Sequence, residues 1–116
     1  MVVLAGSVVN PGARVGAHAI VNTGAILEHD VKAGPFVHIG PGAVVGGGVE
    51  IGRGAYVGLG AHVRDHIHIG TGAVIGMGAV VIDDVPAGAV VVGTPARQIR
   101  TAPMPSSSME VAEDRE

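Results

Sequence analysis

A six-residue period constrains this chain more than any other feature. Cut from Val3 onward, the sequence reads VLAGSV, VNPGAR, VGAHAI, VNTGAI, LEHDVK, AGPFVH, IGPGAV, VGGGVE, IGRGAY, VGLGAH, VRDHIH, IGTGAV, IGMGAV and VIDDVP, reaching Pro86 without an insertion. The first position is Val, Ile or Leu in every unit but one, where it is Ala33, and the fifth is always Ser, Ala, Val or Ile. A unit this short cannot bury its large residue alone, so the units must coil and stack on one another. Gly, Asn, Asp and Pro at the remaining positions permit tight bends. Glycine so frequent (20 of 116 residues) rules out helical spacing, and its failure to recur at every third position rules out collagen. With 47% hydrophobic but only 2% aromatic residues, the chain is neither a disordered polar segment nor a conventional two-layer core.

The rest of the composition narrows the setting. There is no cysteine, so no disulfide framework, thiolate zinc site or thiol nucleophile is available. No basic region followed by an apolar run opens the chain, and no apolar stretch is long enough to span a bilayer, so a cytoplasmic protein without membrane association is expected. The net charge of -3 falls entirely on residues 104–116, leaving 1–103 neutral. A neutral body without a basic stripe, and with almost no aromatics to stack on bases, argues against nucleic acid. Residues 104–116, opening on Pro-Ser-Ser-Ser, read as a disordered acidic tail behind a single repeat domain over 1–103.

The hexad pattern resembles that of the left-handed parallel β-helix, an all-β fold in which three hexads make one triangular coil. Fourteen hexads then give about four and two-thirds coils. The handedness comes from the resemblance, because most parallel crossovers are right-handed. In such a prism residues 18 apart stack directly, about 4.8 Å apart.

Within that frame, His29 beside Asp30 stands at a bend and suits a general base: the carboxylate fixes the tautomer and stabilises the imidazolium. Gly47, in Gly46-Gly47-Gly48, stacks on His29, and its missing side chain bares backbone N–H groups of the kind an oxyanion needs. The competing reading is a surface histidine satisfied by water or Asp30. His18 and His62 sit in regular repeats and read as surface residues. His66 and His68 occupy Arg64-Asp65-His66-Ile67-His68, with His66 stacked over Gly48, where a ligand-shaping role stays open. Arg53, Arg64, Arg97 and Arg100 are candidates for binding phosphates or are ordinary solvated arginines.

The stretches Val21-Asn22-Thr23-Gly24-Ala25, Glu28-His29-Asp30, Phe36-Val37-His38-Ile39 and Gly46-Gly47-Gly48-Val49, with the ending Val92-Gly93-Thr94-Pro95-Ala96-Arg97, resemble the sugar O- and N-acetyltransferases of the sialic-acid and bacillosamine type. The resemblance spans about residues 8–100. It implies an acetyl-CoA-dependent enzyme that moves an acetyl group directly to an amine or hydroxyl of a sugar-like acceptor, without a covalent acyl-enzyme or a metal. It further implies His29 as catalytic base, Asp30 as its support, His38 and Gly47 as acetyl-CoA contacts, Leu59 and Met77 along the pantetheine path, and a homotrimer with sites between chains. Two alternatives stand beside it. One is a non-catalytic trimeric scaffold; the other is a zinc enzyme like the γ-type carbonic anhydrases, for which the His62, His66 and His68 spacings do not fit. The family resembled usually carries an N-terminal Rossmann-like domain, whereas this sequence starts inside the repeat. The expectation is a natural short form or a truncation, with the acceptor open and the first coil uncapped.

Overall fold

A computed structural model describes residues 1–101, so the residues expected to form the acidic tail lie outside the described part. Two-residue strands recur every six residues from Val2–Val3 to Val80–Val81. Each of them up to His62–Val63 pairs in parallel with the strand 18 residues on, as in Val2 with Ile20, Ile20 with His38, His38 with Tyr56 and Tyr56 with Val74. Three flat faces result. The first begins with Val2–Val3, the second with Val8–Val9 and the third with Arg14–Val15. This is the left-handed parallel β-helix, of about five turns, and the described residues contain no helix.

The hexad explains the packing. The second residue of each strand points inward, and Val21, Leu27, Ile39, Val45, Val57 and Ile75 have no exposed surface. The fifth-position residues Ala25, Ala43, Ala61 and Ala73 are equally buried and fill the gaps between them. A prism this narrow has no space for an aromatic ring at these positions, which accounts for the composition. Each buried Val, Leu or Ile contributes about 1.5–3 kcal/mol. Inter-coil bonds such as Ile20 N–H to the Val37 carbonyl (2.9 Å) and Gly40 N–H to Val57 (2.7 Å) satisfy the backbone. Among the described residues no polar side chain is buried.

Each corner turns through a residue with φ near +60 to +80°, and at most of these corners it is glycine. Four side-chain-bearing residues also adopt it: His18 (60°), Asp30 (61°), Phe36 (61°) and His66 (57°). Such a conformation costs an L-residue about 1–2 kcal/mol.

The repeat does not keep its register to Pro86. Val85 bridges to Ile69 and Val90 pairs with Val74, both 16 residues apart instead of 18, so the last corner is two residues shorter and VIDDVP is not a full hexad. The cause is local: an Asp84 carboxylate oxygen accepts the His68 backbone N–H at 2.9 Å, doing what a strand carbonyl does elsewhere. Beyond it, Ala89–Val92 joins the first face and folds back antiparallel onto Arg97–Thr101, so Gly93 to Ala96 ends the parallel coils. At the other end Val3 and Val9, inward by register, are 44% and 38% exposed because no coil covers them.

Candidate functional site

The three columns of corners differ in what they carry. Between the first and second faces stand Thr23-Gly24, Pro41-Gly42, Leu59-Gly60 and Met77-Gly78; Leu59 and Met77 stack and are exposed (53% and 78%). Between the second and third faces stand Pro11-Gly12, His29-Asp30, Gly47-Gly48 and Asp65-His66. Between the third and first stand Ala17-His18, Pro35-Phe36, Arg53-Gly54 and Thr71-Gly72.

The second column gathers two histidines and two carboxylates around glycines. Asp30 N–H donates to the Pro11 carbonyl (3.2 Å), Gly48 N–H to His29 (2.9 Å) and His66 N–H to Gly47 (2.9 Å), so backbone bonds lock successive corners in line. The His29 Nδ1 lies 3.2 Å from an Asp30 carboxylate oxygen, and both side chains are about two-thirds exposed. With Nδ1–H donated to Asp30, Nε2 keeps its lone pair. That nitrogen lies over Gly47: a Cβ there would sit 2.5 Å from His29 Nε2 and 2.7 Å from Cε1. Gly47 is buried beneath the ring, and its N–H makes no hydrogen bond among the described residues. One coil below, a side chain at Gly12 would overlap the Asp30 carboxylate, so glycine is needed on both sides of the pair.

A second imidazole reaches the same shelf from the coil above. His66 Cε1 would lie 2.7 Å from a Cβ on Gly48, and its Nε2 is 3.7 Å from an Asp65 carboxylate oxygen. The triglycine is therefore flanked by two His–Asp pairs.

The remaining expected site residues stand apart. His38 projects from the first face, half-buried, with its Nε2 3.3 Å from Asn22 Nδ2 and its ring edge-on to Tyr56 at 5.1 Å. Thus one chain joins His29, Asp30 and Gly47, but leaves His38 on a face and Leu59 and Met77 at another corner. Tyr56 was accessible from sequence as the residue 18 beyond His38, and Gly12 as the residue 18 before Asp30; the Asn22 partnership had no such signal. Of the arginines, Arg53 lies over the Phe36 ring at 4.8 Å, and Phe36 stacks on His18 at 4.9 Å. Arg64, Arg97 and Arg100 are exposed. A shallow cavity of about 360 Å³ on the third face, lined by Lys32, Glu50, His68 and Thr71 among others, contains none of the expected site residues. Among the described residues no three His, Cys, Asp or Glu side chains converge as metal ligands.

Neither a protein-family model nor a curated protein sequence matches the chain. Solved structures do. The acetyltransferase domain of PglB from Neisseria gonorrhoeae, in complex with acetyl coenzyme A, superposes with a TM-score of 0.83 at 40% identity, covering 84% of this chain and 47% of that one. A mutant of perosamine N-acetyltransferase from Caulobacter crescentus, in complex with CoA and GDP-perosamine, gives a TM-score of 0.74 at 31% identity, over 85% and 53%. A hexapeptide-repeat containing acetyltransferase from Vibrio cholerae shares the fold, with a TM-score of 0.73 at 22% identity over 82% and 70%. The chain spans about half the length of the first two.

Proposed function

Because the chain is similar over most of its length to the acetyltransferase domain of PglB and to perosamine N-acetyltransferase, we propose that it is a hexapeptide-repeat acetyltransferase and transfers the acetyl group of acetyl-CoA directly to an amine or hydroxyl of a sugar-like acceptor. The observation that carries this reading is the placement of the His29 Nε2 against Gly47, whose N–H has no partner among the described residues. His29 takes the proton of the attacking group, and Asp30 holds the opposite nitrogen and stabilises the imidazolium. The exposed imidazole can tilt off Gly47 and admit the thioester carbonyl, whose developing charge the Gly47 N–H then receives. No acyl-enzyme forms, since the chain has no cysteine and, among the described residues, no serine is paired with His29.

The separation of His29 from His38, Leu59 and Met77 supports a site shared between copies. In that arrangement one chain supplies the His29 corner, and a neighbour supplies the first corner and His38 to hold the pantetheine arm. The outward residues favour packing through the first and second faces, where Ile20, Val74, Ile26, Val44 and Val80 point out. The third face instead presents Arg14, Lys32, Glu50 and His68. A homotrimer is the closed assembly this reading calls for.

The test is acetyl transfer to a panel of GDP-perosamine, other amino sugars and sialic acids, with the wild type and His29→Ala. Transfer by the wild type and its loss in the variant is expected; full activity in the variant overturns the assignment of the base. A monomer by light scattering overturns the shared site.

A further inference from the structure

The acetyl-transfer reading uses one of the two His–Asp pairs at the second column of corners and leaves the other without a task. The two are not equivalent. His29 reaches Gly47 from the coil below and turns Nε2 to the shelf, with Nδ1 on Asp30. His66 reaches Gly48 from the coil above and turns its Nδ1–Cε1 edge to the shelf, with Nε2 toward Asp65. Each imidazole thus has one nitrogen facing a carboxylate and the other facing the glycines, from opposite sides. His66 also holds this place at φ 57°, in a conformation that glycine adopts at no cost at most of the other corners.

We propose that His66 is a second catalytic residue, the general acid that protonates the departing thiolate of CoA. This rests on the acetyltransferase reading and deepens it. The carbonyl oxygen points to the Gly47 N–H, and the nucleophile enters on the His29 side. The leaving sulfur then departs on the side away from His29, which is the side His66 covers. The acceptor proton passes to His29 Nε2 as the acceptor lone pair bonds the acetyl carbon. The carbon–sulfur bond then breaks, sulfur keeps the electron pair, and it takes the proton from His66 Nδ1. Solvent returns a proton to His66 and removes one from His29, so the cycle balances. Asp65 faces His66 on its own coil, with a carboxylate oxygen 3.7 Å from Nε2, which leaves Nδ1 turned to the shelf. The other titratable or charged groups around this corner include His62, Arg64 and His68 on its own coil, Glu50 one coil below, His29 and Asp30 two coils below, and Asp83 and Asp84 above.

The experiment uses the assembled protein and CoA itself, and needs no acceptor. CoA is bound to the wild type, His66→Gly, His66→Asn and His29→Gln, its binding is checked by calorimetry, and its thiol is titrated by the ultraviolet absorbance of the thiolate. An imidazolium beside the sulfur makes the bound thiol ionise at least about tenfold more readily than free CoA. The expected result is that this gain is present in the wild type and in His29→Gln, absent in both His66 variants, and partly restored to His66→Gly by free imidazole. His66→Gly places glycine at a glycine-like φ, so its folding is not in question. Intact CoA binding with an unchanged thiol titration in the His66 variants overturns the proposal alone, leaving His29 or water to protonate the sulfur. A wild type that does not bind CoA overturns the acetyltransferase reading as well.

Discussion

Gly47→Ala separates the position of His29 from the integrity of the fold. Gly47 does not have a positive φ, so alanine imposes no backbone strain there. The added methyl would lie 2.5–3.1 Å from three atoms of the His29 ring, which are its nearest neighbours. That ring terminates a flexible side chain about two-thirds exposed to water, so it swings aside, losing an exposed interaction with Asp30 worth up to about 1 kcal/mol. Stability is therefore expected to change by no more than about 1 kcal/mol by urea unfolding. Activity behaves differently, because the methyl occupies the space that the imidazole fills and that the acetyl carbonyl has to enter. General-base catalysis contributes about 10²- to 10⁴-fold, which is about 3–5.5 kcal/mol of barrier, and kcat is expected to fall by that order. The assay is CoA release in the presence of whichever acceptor the panel identifies. His29→Ala and Gly47→Ala remove one arrangement, so the double variant is expected to be hardly worse than either single one. Undiminished kcat in Gly47→Ala, or fully additive losses, refutes the reasoning.

The neighbouring glycines are expected to fail for other reasons. A Cβ on Gly46 would meet backbone, 2.6 Å from the Asp65 nitrogen and 2.9 Å from the Val63 oxygen, so Gly46→Ala should lower stability by about 1–3 kcal/mol; Gly48→Ala, at φ 71°, should lose about 1–2 kcal/mol, both read by urea unfolding. Leu27→Ala empties a fully buried position and should cost about 2–5 kcal/mol by the same measurement. Leu59→Asp and Met77→Asp change exposed corner residues, so unfolding should shift by no more than about 0.5 kcal/mol while acetyl-CoA affinity by calorimetry falls. Unaltered affinity would remove both residues from the pantetheine path.

The fold was legible because each large inward residue in this prism answers to a fixed sequence position, and a period of six survives any local substitution that keeps the inward residue apolar. The reading failed where a side chain did the work of the backbone. Val81-Ile82-Asp83-Asp84-Val85-Pro86 satisfies the hexad by residue type, yet the Asp84 carboxylate takes the His68 N–H and shortens the corner by two residues. The site was legible to the same extent. The stacking of Gly47 on His29 and of Gly48 under His66 follows from the 18-residue repeat alone. The hydrogen bond between His38 and Asn22 does not, because it runs diagonally between neighbouring coils, to a residue two beyond the Ile20 that pairs with His38, where side-chain direction decides the partner.

On the proposed reading, the strained corners are where the fold gives up stability for chemistry. All the first-corner residues at positive φ are glycines (Gly6, Gly24, Gly42, Gly60 and Gly78), whereas the other two columns each hold two side chains there. In the third column His18 and Phe36 stack, and Arg53 covers the Phe36 ring, so aromatic and cation–π contacts of about 0.5–1.5 kcal/mol each offset the strain. In the second column Asp30 and His66 have only exposed imidazole–carboxylate contacts in return, at 3.2 and 3.7 Å, worth at most about 1 kcal/mol. The strain of about 1–2 kcal/mol at each is then not returned by packing. Asp30→Gly is accordingly expected to raise stability by up to about 1 kcal/mol while reducing acetyl transfer, whereas Phe36→Gly should leave both nearly unchanged. Thermal unfolding and the transfer assay on this pair distinguish a corner shaped for chemistry from one shaped by its own stacking, and a destabilised Asp30→Gly would show that the pair with His29 serves the fold instead.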